Sequence, residues 1–162
     1  MFKPLAALLA ATTLTVPAVA KIDPGTPQLL QTLTEYGITV TYNPPVCSQG
    51  FAGRYSTSKE MTLCYRGQPT AFDHDTVRHE TMHVLQHCAA LRRRDTRGIV
   101  PLAINPNQRN QWVSQVLRSG QISEIKENYP VRAHQIELEA FAGAQHYSAS
   151  QLTNLVKRWC IK

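Results

Sequence analysis

The longest helical pattern of the chain lies near its middle, between Asp73 and Leu91. Apolar side chains recur there at helical spacing and flank a row of histidines. They are Val77, Met82, Val84 and Leu85. This pattern predicts a long helix that packs through its apolar surface against the rest of the domain. Asp73 or Asp75 is expected to cap the helix, because a carboxylate suits its positive N-terminal end.

Shorter patterns precede this helix. Leucines at helical spacing predict a first helix over Thr26–Tyr36. The segment Ile38–Tyr42 alternates in character and is rich in β-branched residues, which predicts a strand. Arg54–Thr57 and Glu60–Tyr65 are predicted to pair as a hairpin.

Helical patterns fill most of the chain after the long helix. They cover Asn107–Ser119, Gln121–Asn128, Tyr129–Ser148 and a last segment capped by Ser148 or Ser150. The predicted fold class is therefore α+β, with a small antiparallel sheet of about three strands, then the long helix and a mainly helical C-terminal half. Residues 21–162 are expected to form a single domain, since no repeat or linker divides them.

The first 20 residues resemble a cleavable signal peptide rather than a part of the domain. A short start that contains Lys3 precedes the uncharged apolar run Leu5–Val16, and Ala18-Val19-Ala20 has the small residues of a cleavage site. The apolar run is too short for a comfortable membrane span. We therefore expect cleavage near Ala20–Lys21, a secreted or periplasmic protein, and no membrane span after the signal is removed.

The cysteine content agrees with export. Four cysteines follow the predicted cleavage site, and an even number in a small exported chain suggests two disulfides. Sequence alone leaves three pairings open. We favour Cys47–Cys64 and Cys88–Cys160. A cysteine metal site is disfavoured, because the chain has no C-x-x-C spacing.

The chain is basic, with a formal net charge of +6. Its sharpest basic cluster is Arg92-Arg93-Arg94, with Arg97 nearby. Such a run is typical of a solvated helix end, where the helix dipole favours positive side chains, and it would also attract an anionic partner. The sequence has no nucleic-acid-binding motif, so no nucleic-acid partner is expected.

Candidate chemistry lies inside the long helix, in His79-Glu80-Thr81-Met82-His83. On a helix His79 and His83 are one turn apart and point the same way, so two imidazoles can share one zinc ion. Glu80 lies beside them and can act as general base on a water molecule. This H-E-x-x-H pattern is that of the zincin metallopeptidases.

A catalytic zinc needs a third protein ligand. The metzincin spacing does not supply it, because Gln86 and Ala89 stand where that motif requires glycine and histidine. His87 continues the histidine row, but it lies two turns from His79, a rise of roughly 12 Å. It is predicted to be a supporting or surface residue. His74 is a lone histidine with a predicted surface or core role, and the same holds for His134.

A carboxylate from a later helix is the other source of a third ligand. The run Glu137-Leu138-Glu139-Ala140 resembles the E-x-x-A motif of the gluzincin metallopeptidases. The resemblance gives the ligand role to Glu137, with Ala140 as the small residue that lets two helices approach. Glu139 is the fallback ligand. Some gluzincins carry an acidic residue just after the alanine, where this chain has Phe141, so the groups that support the histidines are unassigned.

The resemblance implies a zincin-like fold, a Zn²⁺ cofactor and hydrolysis of peptide bonds in a peptide or protein substrate. It also implies an edge strand beside the active site, for which Glu60–Tyr65 is the candidate. Tyr129 or His134 is a candidate donor to the oxyanion. Two alternatives are a non-catalytic exported domain that binds metal or a partner, and a disulfide-bonded helical protein without metal.

Overall fold

A computed structural model describes residues 22–65 and 67–160. The predicted signal peptide and its cleavage site lie outside the described residues. Within these ranges the chain forms six α-helices, two short 3-10 helices and three strands. The strands are β1 (Thr39–Tyr42), β2 (Gly53–Ser56) and β3 (Glu60–Leu63), and the α-helices are α1 (Thr26–Glu35), α2 (Ala71–Arg93), α3 (Pro106–Val116), α4 (Ser119–Asn128), α5 (His134–His146) and α6 (Ala149–Trp159). The 3-10 helices cover Pro45–Gln49 and Val131–Ala133.

The fold class is α+β, as predicted, but the sheet is mixed rather than antiparallel. The strand order is β1-β3-β2, with β1 parallel to β3 and β2 antiparallel to it. The β2–β3 hairpin occupies one side of β3, so β1 pairs on the other side, where it runs in the same direction. A pattern of alternating residues predicts strands but does not give their order, which explains the error.

The same order corrects the predicted edge strand. The segment proposed for that role contains β3, which is central, whereas β2 is the edge strand beside α2. The hairpin turns at residues 57–59, where Lys59 adopts the left-handed conformation typical of a three-residue loop. Met61 and Leu63 are fully buried on the sheet face that meets the helices.

Helix α2 begins two residues earlier than predicted. Its N-cap is Thr70, whose hydroxyl accepts a hydrogen bond from the Asp73 backbone N–H, and the Asp73 carboxylate accepts one from the Thr70 backbone N–H. The expected cap at Asp73 or Asp75 is therefore wrong, although Asp73 completes the capping box. The helix ends where Arg94 takes the left-handed conformation.

Helix α2 runs through the middle of the domain and contacts α5, α6, α1 and the sheet. One core cluster lies between α2, the sheet and the pair α1 and α6, and it contains Leu29, Leu33, Leu152 and Val156. A second, smaller cluster joins α3, α4 and α5. Helix α2 is thus packed on several sides, which holds its histidines in a fixed frame.

Helices α2 and α5 approach closely because small residues line their contact. Ala140 is fully buried there, as predicted, and a Cβ atom at Gly143 would clash with the Met82 side chain. The predicted helix Tyr129–Ser148 is shorter in the structure, since a 3-10 turn over Val131–Ala133 precedes α5. That turn follows Pro130, which has an extended backbone.

Both favoured disulfides are confirmed. Cys47–Cys64 joins the turn after β1 to the residue that follows β3. Cys88–Cys160 joins the C-terminal half of α2 to the end of α6 across 72 residues. Every described cysteine is therefore paired, which is consistent with an extracellular protein.

Candidate metal centre

The helix geometry of α2 brings its two motif histidines together. Their Nε2 atoms lie 3.1 Å apart, and the rings meet edge to face with centroids 4.7 Å apart. Both side chains are largely buried, with 12% of His79 and 10% of His83 exposed. The i, i+4 spacing therefore places two nitrogen donors side by side, as the sequence predicted.

Helix α5 brings the predicted carboxylate to the same point. Glu137 Oε2 lies 3.4 Å from His79 Nε2 and 3.6 Å from His83 Nε2. Among the described residues, these three side chains form a group that could hold a metal ion. Glu137, the ligand favoured over Glu139, belongs to this group, whereas Glu139 lies outside it.

The donor set and its spacing fit a small divalent ion. Ligands about 2.0–2.1 Å from one tetrahedral ion lie about 3.3–3.4 Å from each other, close to the observed 3.1–3.6 Å separations. Glu137 Oε2 is buried and has no hydrogen bond within the described part of the chain. A buried carboxylate oxygen beside two imidazole nitrogens is typical of a transition-metal site.

The pKa shifts of Glu137 and His83 reflect their close contact. Desolvation raises the pKa of Glu137, but the neighbouring His79 and His83 side chains outweigh it and lower that pKa to about 2. Desolvation lowers the pKa of His83, but Glu137, Glu80 and Gln86 outweigh it, so the net shift is upward. The carboxylate of Glu137 is therefore ionised at neutral pH, as a metal ligand must be.

Glu80 lies next to this group and is only 5% exposed. Burial has the largest effect on its pKa and raises it, and the charge of Glu137 adds to this rise. His79, His83 and a backbone hydrogen bond from Tyr55 lower the pKa, but the net shift is upward. A carboxylate with a raised pKa is a better proton acceptor than one in water. Glu80 thus has the position and the environment of a general base.

A cleft of about 310 Å³ opens over these residues. It is bounded by edge strand β2, by the motif side of α2 and by the segments before and within α5. Its lining residues are Gly53, Arg54, Tyr55, His79, Glu80, His83, Ile99, Tyr129, Ala133, Ile136 and Glu137. All four residues singled out for metal binding and catalysis therefore face one cleft.

Sequence reasoning missed the importance of Gly53, which directly precedes the predicted strand Arg54–Thr57. It begins β2, and a Cβ atom there would clash with the Thr76 side chain and crowd that of Glu80. Glycine thus lets the edge strand approach α2 beside Glu80. A glycine at this position was the only feature of the sequence that could have indicated a close approach. It does not show which element packs against the strand.

Tyr129 and His134 were the predicted oxyanion donors, and the structure separates them. Tyr129 lines the cleft, and burial together with the Glu137 and Glu80 charges raises its pKa to about 12, so its phenol stays protonated. His134 instead hydrogen-bonds through Nε2 to the Tyr129 backbone oxygen at 2.7 Å and does not line the cleft. Tyr129 is the better candidate.

The remaining histidines lie outside the metal group. His87 Nδ1 is 2.7 Å from the hydroxyl of Tyr55, a residue of the cleft wall, so His87 is a supporting residue. Burial, with a smaller effect of Lys59, lowers the pKa of His87. His74 Nδ1 lies 2.7 Å from the Thr26 hydroxyl.

Two further functional residues were missed or misassigned. His83 Nδ1 lies 2.9 Å from Gln86 Oε1, and Gln86 Nε2 donates to Glu139 Oε2 at 2.9 Å. Glu139 also accepts hydrogen bonds from the backbone N–H groups of Leu102 and Ala103. Glu139, the fallback ligand, therefore lies outside the metal group and is connected to His83 through Gln86.

Comparison of this chain with protein-family models, curated proteins and solved structures found no significant match. In the part of the chain that the structure describes, each helix is too short or too polar to span a bilayer. A function is therefore inferred from the geometry of the cleft alone.

Proposed function

We propose that the protein is a zinc-dependent hydrolase of peptide bonds that acts outside the cytoplasm, similar to the gluzincin metallopeptidases. The observation that carries this proposal is the convergence of His79, His83 and Glu137 beside the buried carboxylate of Glu80 in one cleft. Two imidazoles and one carboxylate are a common ligand set for catalytic zinc. The two disulfides support an oxidising compartment.

Each residue of the cleft has a defined task in this proposal. Zinc held by the three ligands would supply Lewis acidity to water and to a substrate carbonyl. Glu80 removes a proton from the attacking water and returns it to the leaving amine. Tyr129 donates a hydrogen bond to the oxygen on which negative charge develops.

The sheet favours a peptide as the substrate. Strand β2 is an edge strand and forms one wall of the cleft, so its outer side is free of strand partners in the described structure. An extended peptide can pair with such an edge through backbone hydrogen bonds. We therefore propose for β2 the edge-strand role for which the resemblance made Glu60–Tyr65 the candidate.

The test of catalysis is Glu80→Gln, with Glu127→Gln on the exposed surface of α4 as the control. We expect Glu80→Gln to retain zinc and to lose peptide hydrolysis by at least about 100-fold, because the amide cannot accept the proton. Zinc content and cleavage of a peptide library are measured on the parent and both variants. Equal cleavage by Glu80→Gln and the parent would refute the mechanism.

The same measurements separate the non-catalytic alternative. A parent protein that binds zinc and cleaves no peptide in the library would favour an exported metal- or partner-binding domain. Absence of any zinc affinity would leave only the disulfide-bonded domain without metal. The open cleft beside Glu80 favours the hydrolase, since a purely structural zinc site has four protein ligands.

A further inference from the structure

The structure contains a hydrogen-bond chain that ends on one of the two histidines. We infer that Gln86, held by Glu139 and by the backbone of Ile136, fixes the tautomer of His83 and so prepares its Nε2 atom for the metal. Gln86 and Glu139 are then positioning residues, since neither belongs to the metal group. This inference rests on the metal site of the proposed function but not on hydrolysis.

The orientation of the Gln86 amide is determined by its partners. Its nitrogen is 2.9 Å from Glu139 Oε2 and 3.0 Å from the Ile136 backbone oxygen. A backbone oxygen can only accept, so the Gln86 nitrogen must face it. The Glu139 carboxylate is itself surrounded by donors, because the N–H groups of Leu102 and Ala103 point at it from 2.6 and 3.0 Å. Both hydrogens of the Gln86 amide are therefore used on α5.

The amide oxygen must then face His83. Gln86 Oε1 lies 2.9 Å from His83 Nδ1 and can only accept, so Nδ1 must carry the hydrogen. In a neutral imidazole the other nitrogen, Nε2, then has the free lone pair. That atom is the one that meets His79 Nε2 and Glu137 Oε2.

Burial makes it costly to break any hydrogen bond of this chain. Gln86 is completely buried and Glu139 is only 2% exposed. Breaking one link would leave a buried polar atom without a partner, which costs about 1–3 kcal/mol. Water therefore cannot easily replace a member of the chain, and the alternative His83 tautomer would place two acceptors, Nδ1 and the Gln86 oxygen, against each other.

The chain also reaches the segment between α2 and α3. Glu139 holds the Leu102 and Ala103 amides with the same carboxylate that orients Gln86. Ile99, a few residues earlier in that segment, lines the cleft. The buried carboxylate of Glu139 thus supports His83 through Gln86 and also holds the segment that forms one wall of the cleft.

The first test needs no variant. The ring nitrogens of ¹⁵N-labelled, metal-free protein are measured by long-range ¹H–¹⁵N correlation, at a pH high enough to keep both rings neutral. We expect His83 to carry its hydrogen on Nδ1, whereas imidazole in water prefers Nε2. A His83 ring with its hydrogen on Nε2 would overturn the inference.

The second test uses Gln86→Met, which keeps the length of the side chain and removes its amide. Gln115→Met, on the exposed surface of α3, is the matched control. We expect the zinc dissociation constant of Gln86→Met to rise about 10–100-fold and the tautomer of His83 to be no longer fixed. Zinc affinity is measured by competition with a chromophoric chelator.

Parental zinc affinity and an unchanged tautomer in Gln86→Met would refute the role of the chain. If this variant does not fold, the tautomer of the parent still decides. Failure of peptide hydrolysis alone would leave both results intact, so the two proposals fail separately.

Discussion

The two histidines of one helical turn are held in different ways. His83 is oriented by a hydrogen bond to Gln86. His79 packs its ring against Phe141, with centroids 4.3 Å apart, and its buried Nδ1 atom has no hydrogen-bond partner among the described residues. Packing restricts the plane of a ring, but only a hydrogen bond also selects which nitrogen carries the hydrogen. In the proposed metal site, His83 would thus have a fixed tautomer, whereas His79 could adopt either one.

The difference has a simple origin in the sequence of α2. Three residues after His83 stands Gln86, which meets the buried carboxylate of Glu139. Three residues after His79 stands Met82, which is fully buried against Gly143 of α5. The same helical offset therefore gives a polar support in one case and close apolar packing in the other.

The largest effect is expected from a change at Glu137. Its loss should weaken metal binding more than a change in the hydrogen-bond chain that supports His83. Glu137→Gln is compared with Glu139→Gln, the same change two residues along α5. Glu137→Gln is expected to weaken zinc binding more than about 100-fold, because it removes the charged member of the proposed ligand group, which lies close to both histidines. Zinc retention after dialysis against a chelator measures the loss.

Glu139→Gln is expected to weaken zinc binding about 10-fold at most. Its remaining oxygen can still accept from Gln86, so the orientation of that amide survives while the contact to Ala103 is lost. Equal losses in the two variants would show that Glu137 is not a ligand. A larger loss in Glu139→Gln would restore that residue as the ligand.

The sequence was sufficient to single out His79, Glu80, His83 and Glu137, which line one cleft in the structure. The period of an α-helix makes His79 and His83 neighbours without knowledge of the fold. The resemblance to the E-x-x-A motif of the gluzincins favoured Glu137 over Glu139. The favoured pairing among the three open to the four cysteines is also the one in the structure. The structure shows where the cleft residues lie, whereas zinc binding and hydrolysis are proposals.

The groups around the ligands could not be predicted in the same way. Gln86 and Glu139 are adjacent only because α2 and α5 pack together, and a lone glutamine or glutamate has no pattern that marks it as a support. The position of β2 depends on strand order, which alternation does not encode. Gly53 is important for an approach between β2 and α2 that is visible only in three dimensions.

A smaller effect is expected on the side of His79. Phe141→Leu removes the aromatic contact to the His79 ring while it keeps an apolar side chain. Zinc affinity should fall by less than about 10-fold, because the ring plane loosens but the hydrogen-bond chain at His83 is untouched. The variant is compared with Gln86→Met in the same chelator competition, and the ¹⁵N spectrum should still show His83 with its hydrogen on Nδ1. If Phe141→Leu weakened zinc binding more than Gln86→Met, packing rather than hydrogen bonding would dominate the site.

The smallest expected effect concerns Asp23, which supports the helix beside His79 from outside the cleft. Its Oδ2 atom accepts from Arg78 at 3.3 Å and from the Ala149 backbone N–H at 2.6 Å, and Arg78 directly precedes His79. Desolvation raises the pKa of Asp23, but hydrogen bonds from the Ala149 and Gly25 backbones and the Arg78 charge outweigh it, so the net pKa lies below its ordinary value of 3.8. The ionised form is thus stabilised by folding.

A carboxyl whose pKa is lowered by folding contributes stability above its unfolded pKa and loses it as the pH falls through the folded value. Asp23→Asn should therefore be about 1 kcal/mol less stable than the parent at pH 7, and this difference should shrink as the pH falls below 3.8. Urea unfolding at pH 7 and near pH 3 measures it, with Asp75→Asn, a more exposed partner of Arg78, as the control. Histidine protonation is common to parent and variant and cancels in the difference. A gap that stays constant between the two pH values would mean that the charge of Asp23 does not stabilise the fold through Arg78 and Ala149.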